Sequence, residues 1–200
     1  MKKILLISLI ALAIIFNPKV SSSQAFQNGD NVLGVGIGFG SSLSYFSAGS
    51  VSPAISLQYE HGNWAVGGPG VISLGGYLGY QKSSYDYTYP YYFNSYNTYY
   101  SYSESLTYWV IGIRSAYHYN GLNTKDWDLY GGLMLSYDIA SFSYSSNNQN
   151  FDNNYRGSYG SGLGISLYLG ARYFVSDKFA LFAEVGYGIS DFNLGVALKL

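Results

Sequence analysis

The chain has 200 residues, ten Lys or Arg against eleven Asp or Glu, no cysteine, 25 glycines, and an aromatic content of 19% that includes 24 tyrosines. Charged residues make up 10%, against roughly 25% in ordinary soluble domains, too few to solvate the surface of a domain this size. The lack of cysteine excludes a disulfide framework, a thiolate metal site and a lipid anchor through sulfur.

Lys2 and Lys3 precede an apolar run from Ile4 to Phe16 broken only by Ser8, and a polar stretch follows that ends in Ser23-Gln24-Ala25. Small residues at the last and third-last positions suit signal peptidase, so residues 1–25 read as an export signal cleaved after Ala25. As a helix the apolar run spans about 20 Å, short of the roughly 30 Å hydrocarbon core of a membrane anchor. The processed chain, residues 26–200, is then one domain. Loss of Lys2, Lys3 and Lys19 leaves seven basic residues against eleven acidic, a formal charge of −4, and no basic face for nucleic acid. No later apolar run approaches the ~20 residues of a spanning helix. Few charges, many aromatics and no spanning helix point to a membrane β-barrel, because a closed sheet satisfies every backbone group in lipid.

Period-two alternation then marks eight strands. Asn31 to Gly40 alternates Leu33, Val35, Ile37 and Phe39 with glycines. Ala54 to His61 sets Ile55, Leu57 and Tyr59 against Ser56, Gln58 and Glu60. Val71 to Gln81 aligns Ile72, Leu74, Leu78 and Tyr80, and Leu106 to Tyr119 aligns Trp109, Ile111, Ile113, Tyr117 and Tyr119 opposite Arg114 and His118. Trp127 to Ile139 places Trp127, Leu129, Leu133, Leu135 and Tyr137 opposite Asp128 and Tyr130. Gly162 to Phe174, Phe179 to Gly188, and the ending from Phe192 to Leu200 continue the pattern, with Arg172, Glu184 and Lys199 on the non-apolar face.

Short links at His61 to Asn63, from Asn120-Gly121-Leu122-Asn123 onward and at Val175 to Lys178 alternate with long ones at 41–51, 82–104 and 141–158; the last, near Ser190-Asp191, reads as a tight hairpin. Outer-membrane barrels keep short turns in the periplasm and long loops outside, which puts both termini in the periplasm. Trp109 and Tyr119 share a face ten residues apart, as do Trp127 and Tyr137. Ten tilted residues rise about 25 Å, the height of the lipid-facing band, so these four and Trp64 are the expected aromatic girdle.

A soluble barrel would put its bulky apolar face inside. Here the other face is Gly, Ala, Ser and a few charges, which suits a narrow lumen with room for Tyr130, Tyr168 and Phe182. Glu60, Arg114, Asp128, Arg172, Glu184 and Lys199 then fall inside, at the periplasmic level. Buried charges pair. The cluster reads as a structural plug, or else as a gate whose pairs exchange partners to pass ions.

No catalytic or metal-binding residue is expected. Gly34 to Gly40 lacks the G-x-G-x-x-G spacing and its strand–helix context. His61 and His118 fall near periplasmic strand ends, and the outward loops offer a histidine no nucleophile, so neither hydrolase nor acyltransferase chemistry is expected. No His or carboxylate cluster has metal-ligand spacing, and no cofactor is implied. The informative excursion is residues 83–105, where Tyr85, Tyr87, Tyr89, Tyr91, Tyr92, Tyr96, Tyr99, Tyr100 and Tyr102 are interleaved with Ser, Asn and Thr. Tyr with Ser and Asn is the chemistry of antibody paratopes. The tract is a binding surface, a solvated low-complexity loop, or two strands extended above the membrane, which the alternation at Tyr85, Tyr87 and Tyr89 favours.

Eight strands, alternating loop lengths and the ending Tyr187-Gly188-Ile189-Ser190 … Asn193-Leu194-Gly195-Val196-Ala197-Leu198-Lys199-Leu200 together resemble small outer-membrane barrels of the OmpX and Ail type over roughly residues 30–200. The resemblance implies an all-β, eight-stranded antiparallel up-and-down transmembrane barrel. It also implies outer-membrane lipid and the barrel-assembly machinery as partners, the latter reading the C-terminal strand, which ends in Leu200 where such signals commonly carry an aromatic. The function it implies is a non-enzymatic role in adhesion or envelope protection through a surface ligand of unknown identity. A purely structural envelope barrel and a narrow ion-conducting pore are the alternatives.

Overall fold

A computed structural model describes residues 24–40, 49–93, 96–147, 160–187 and 190–200, with backbone alone for 91–93 and 96–98. The expected export signal lies outside the described residues except for Gln24 and Ala25. Among the described residues nine strands follow in order: β1 (Asn31–Phe39), the short β2 (Ser50–Val51), β3 (Ala54–Val66), β4 (Gly70–Phe93), β5 (Tyr96–Tyr119), β6 (Trp127–Ser146), β7 (Gly162–Phe174), β8 (Phe179–Tyr187) and β9 (Phe192–Lys199).

Each long strand pairs antiparallel with its neighbours in the chain, and β1 pairs with β9 through Val32↔Lys199 to Phe39↔Phe192. The sheet therefore closes on itself as an up-and-down barrel of eight strands, and β2 adds only Ser50↔Ser84 and Val51↔Ser83 to β4. Closure leaves no edge within the common height of the wall, the condition for crossing lipid with strands.

Burial is inverted relative to a soluble protein. Leu163, Ile165, Leu167 and Leu169 are exposed on β7, while Glu60, Arg114, Asp128 and Arg172 are at most 2% exposed. Alternation explains the split, since successive side chains point to opposite faces. The lumen is narrow enough that large inward rings need small residues beside them. A side chain on Gly36 would meet Asn193 and Ser56 within 3 Å, one on Gly195 would meet the Phe182 ring, and one on Gly132 would meet the Tyr168 hydroxyl.

Among the described residues three connections are short and share one end of the barrel with the start of β1 and the end of β9. Residues 67–69 join β3 to β4, a 3-10 turn at Asn120–Leu122 with Asn123 in the left-handed region (φ 50°) starts the link from β5 to β6, and residues 175–178 join β7 to β8. The tight hairpin expected near Ser190-Asp191 falls partly outside the described residues, but Gly186 donates to the Asp191 carbonyl at 3.0 Å across it.

Three sequence-based boundaries change, one of them the link expected at 141–158, since β6 runs on to Ser146. The turn expected at His61 to Asn63 is not a turn: β3 runs on to Val66 through an irregularity between Gly62 and Trp64. The N-terminal segment docks beside it. Gly62 exchanges backbone hydrogen bonds with Gly29 and Asp30 at 2.8 and 2.9 Å, and any side chain at Gly62 would strike the Gln27 carbonyl. The long link expected at 82–104 is likewise mostly strand, because β4 and β5 stay in register from Gly70↔Tyr119 to Phe93↔Tyr96.

Candidate functional site

Two places gather polar chemistry: the lumen near the short-turn end, and the sheet that rises from the opposite end. The wall between them carries a continuous apolar exterior, with Val35 and Ile37 on β1, Ile55 and Leu57 on β3, Ile111 and Ile113 on β5, and Leu133 and Leu135 on β6 all 43–64% exposed. Rings bound this belt. Trp109 packs edge-on to Tyr80 at 4.9 Å with exposed Tyr137 at one level, and Trp127 packs on Tyr173 at 4.9 Å with Trp64 and Tyr119 at the other. An apolar belt that only lipid can cover, around a lumen that buries charge, settles the class. The chain is a transmembrane β-barrel.

Among the described residues no helix is long and apolar enough to cross a membrane; the barrel crosses with strands. No protein-family model matches the sequence, and no curated protein matches it. Among solved structures the chain is similar to Ail, the attachment invasion locus protein of Yersinia pestis, at 11% identity and a TM-score of 0.44, covering 86% of this chain and 96% of that one. A structure of the same protein with the heparin analogue sucrose octasulfate gives 12% and 0.43, over 86% and 96%. A de novo designed transmembrane β-barrel gives 15% and 0.42, over 88% and 99%.

Inside the transmembrane barrel, five of the six expected charges form one network. Arg114 Nη2 lies 2.6 Å from Glu184 Oε1 and 3.1 Å from Glu60 Oε1, while Arg172 reaches Glu60 Oε2 at 2.7 Å and Asp128 Oδ2 at 3.0 Å. Two guanidiniums are thus shared among three carboxylates contributed by β3, β6 and β8. Neutral donors surround Glu184: Tyr130 donates its hydroxyl at 3.0 Å, and Gln58 and Asn193 donate to its other oxygen at 3.1 and 3.3 Å, whereas Glu60 Oε1 and Arg172 Nε are buried without a hydrogen-bond partner. Rings flank the cations, with Arg114 over Tyr168 at 4.2 Å and Arg172 over Tyr130 at 5.0 Å. The ion pairs matter because an unpaired charge in a closed lumen costs several kcal/mol.

The sixth charge is a correction. Lys199 has the inward parity expected, yet it sits at the mouth, 2.6 Å from Asp30 and donating to the Ala25 carbonyl at 3.0 Å. It pins the N-terminal segment rather than joining the network. That segment was not anticipated as structure. Phe26 is fully buried, stacks on the His118 ring at 3.8 Å, and accepts a hydrogen bond at its carbonyl from Asn120. A lone Phe in a polar stretch has no periodicity, so no sequence signal marks it.

His118 supplies the second correction, since it does reach a nucleophile. Its Nε2 lies 3.0 Å from Ser73 Oγ and its Nδ1 lies 2.8 Å from Asp128 Oδ1, the spacing of a Ser-His-Asp triad. Access is what this set lacks: the three side chains are 0–1% exposed, Phe26 covers the imidazole, and Arg172 holds the other Asp128 oxygen. The arrangement works as a hydrogen-bonded tie across β4, β5 and β6. His61 faces outward, sharing Asn31 Oδ1 with the Tyr59 hydroxyl. No group of three metal-ligating side chains occurs among the described residues.

At the far end β4, β5 and β6 outrun their neighbours. β3 reaches β4 at Ile55↔Tyr80, β2 ends at Ser84, and β7 leaves β6 at Asp138↔Gly162, while β5 and β6 continue together to Tyr102↔Ser146. Register sorts the tyrosine tract into two faces. Tyr85, Tyr87, Tyr89, Tyr100, Tyr102 and Tyr144 continue the lumen-side face, linked by ring contacts of 5.5–6.4 Å, with Glu104 among them. Asp86, Thr88, Ser101, Ser103 and Ser145 form the other face, together with exposed Tyr99. Tyr91, Tyr92 and Tyr96 lie at the tip, paired through Tyr91↔Thr98, Tyr92↔Asn97 and Phe93↔Tyr96.

Proposed function

We propose that this chain is a non-enzymatic outer-membrane protein that displays a three-stranded, tyrosine-faced sheet outside the cell for contact with other surfaces or macromolecules. The observation that carries the reading is the continuation of β4 and β5 in unbroken register to Phe93↔Tyr96. Residues 85–93 at about 3.3 Å each run roughly 30 Å past the wall. A solvated linker needs no such construction, whereas rigid tyrosines with hydroxyl and amide neighbours suit recognition. In this reading the short turns and both termini face the periplasm, and residues 1–25 are removed, so that Phe26 begins the mature chain, Lys199 gives up the Ala25 carbonyl and keeps Asp30, and β9 engages the barrel-assembly machinery. Trp64, Trp109, Tyr119, Trp127 and Tyr137 anchor the belt at its two interfaces.

The lumen network is a plug. Beside Arg114 and Glu184 lies a half-open cavity of about 40 Å³, room for about three waters. The test of the display reading is deletion of residues 85–102 with Ser103→Asn and Glu104→Gly, a two-residue turn between the paired Ser84 and Ser105. Heat-modifiable gel mobility reports the barrel, and adhesion of expressing cells to cells and matrix surfaces reports function. Loss of adhesion with an intact barrel supports the reading; unchanged adhesion leaves a structural envelope barrel.

A further inference from the structure

Residues 83–105 contain Asp86 and Glu104 and no Lys or Arg, and residues 141–147 contain no charge at all. Register places Glu104 opposite Tyr85 on one side and Tyr144 on the other, on the same face as Tyr102, Tyr87 and Tyr89. Tyr87 is 44% exposed, and its ring lies 5.9 Å from Tyr89 and 5.5 Å from Tyr102. The face is therefore a cluster of tilted phenol rings around a carboxylate. Ring faces carry the negative end of the aromatic quadrupole, so rings and carboxylate attract the same kind of guest.

The barrel itself shows which guest fits. Each lumen arginine is held between a tyrosine ring and a carboxylate, Arg114 by Tyr168 and Glu184, and Arg172 by Tyr130 and Glu60. The external sheet repeats this pairing of ring and acid without the arginine in its own sequence. We propose that the tyrosine face around Glu104 binds an extended, Arg/Lys-bearing peptide segment of another protein. The inference rests on the display reading and adds to it the chemistry of the partner. A net acidic processed chain steers such a segment inward and repels polyanions.

The processed barrel in phosphatidylcholine nanodiscs, titrated calorimetrically with an Arg-rich 12-residue peptide, tests this. Acidic and Ser/Gly peptides of equal length and a neutral oligosaccharide serve as comparisons. The cationic peptide should bind and weaken with added salt. Glu104→Gln should raise its Kd about fivefold, and the double variant Tyr87→Leu, Tyr102→Leu about tenfold, both with unchanged heat-modifiable mobility. Asp86→Asn, on the opposite face and equal in charge change, should leave Kd within about twofold. Absence of binding, equal binding by the neutral or acidic probes, or equal effects of Asp86→Asn and Glu104→Gln would overturn the proposal. Loss of adhesion on deleting residues 85–102, without peptide binding, would sink the inference and keep the display reading.

Discussion

The glycines facing the lumen and the rings laid over them set how much each residue matters. Phe182, Tyr130 and Tyr168 occupy volume that a side chain at Gly195, Gly170 or Gly132 would otherwise claim, so these positions tolerate little. Gly36→Leu should therefore prevent refolding in detergent, because even its first carbon would meet Asn193 at 2.6 Å, whereas Val35→Leu on the exposed face should refold normally. Arg114 serves two carboxylates at once. Arg114→Met leaves Glu60 with one cation and Glu184 with none, and should cost about 3–5 kcal/mol, read as a lowered urea midpoint of unfolding. Phe26→Ala empties a fully buried site over His118 and should cost about 3–5 kcal/mol in the same assay.

Elements differ in where the lipid stops. Leu133 and Ser143 lie on the outward face of the same strand, β6, ten residues apart, but Leu133 falls inside the belt bounded by Trp127 and Tyr137 and Ser143 lies beyond it. Leu133→Arg should destabilise the barrel in lipid by about 2–4 kcal/mol, the cost of a cation near the bilayer midplane. Ser143→Arg should change stability by less than about 0.5 kcal/mol. Equal costs would mean that the apolar belt does not end where the rings do. The irregularity in β3 is the other element-level device: the register skips Asn63, while Gly62 keeps its place opposite Ser73 and also exchanges hydrogen bonds with Gly29 and Asp30, which docks the N-terminal segment against the wall.

For the whole molecule, closure and filling act together. Eight strands close without an edge, and the lumen of so small a barrel is taken up by side chains. Residues 26–200 in planar bilayers should show no steady single-channel conductance at moderate voltage, since the buried ion-pair network and the buried Phe26 ring take up lumen space. Discrete, reproducible openings would replace the plug with a gate.

Period-two alternation alone determined the fold. Leu133, Leu135 and Tyr137 against Asp128 and Tyr130 could only make a two-faced strand, and the poverty of charge decided which face met lipid. The inward set Glu60, Arg114, Asp128, Arg172 and Glu184 was legible for the same reason, because parity is a local property of a strand. Pairing was not. Which carboxylate Arg172 takes, that Ser73 meets His118, and that Lys199 turns to Asp30 depend on stagger between strands, and stagger is set by closure of the ring rather than by any one segment. Strand ends escaped too: polar residues at Gly62-Asn63 and in the tyrosine tract look alike as turn and as solvated strand until a partner supplies the hydrogen bonds. The buried Phe26 had no pattern at all, since its burial exists only once the mouth it closes has formed.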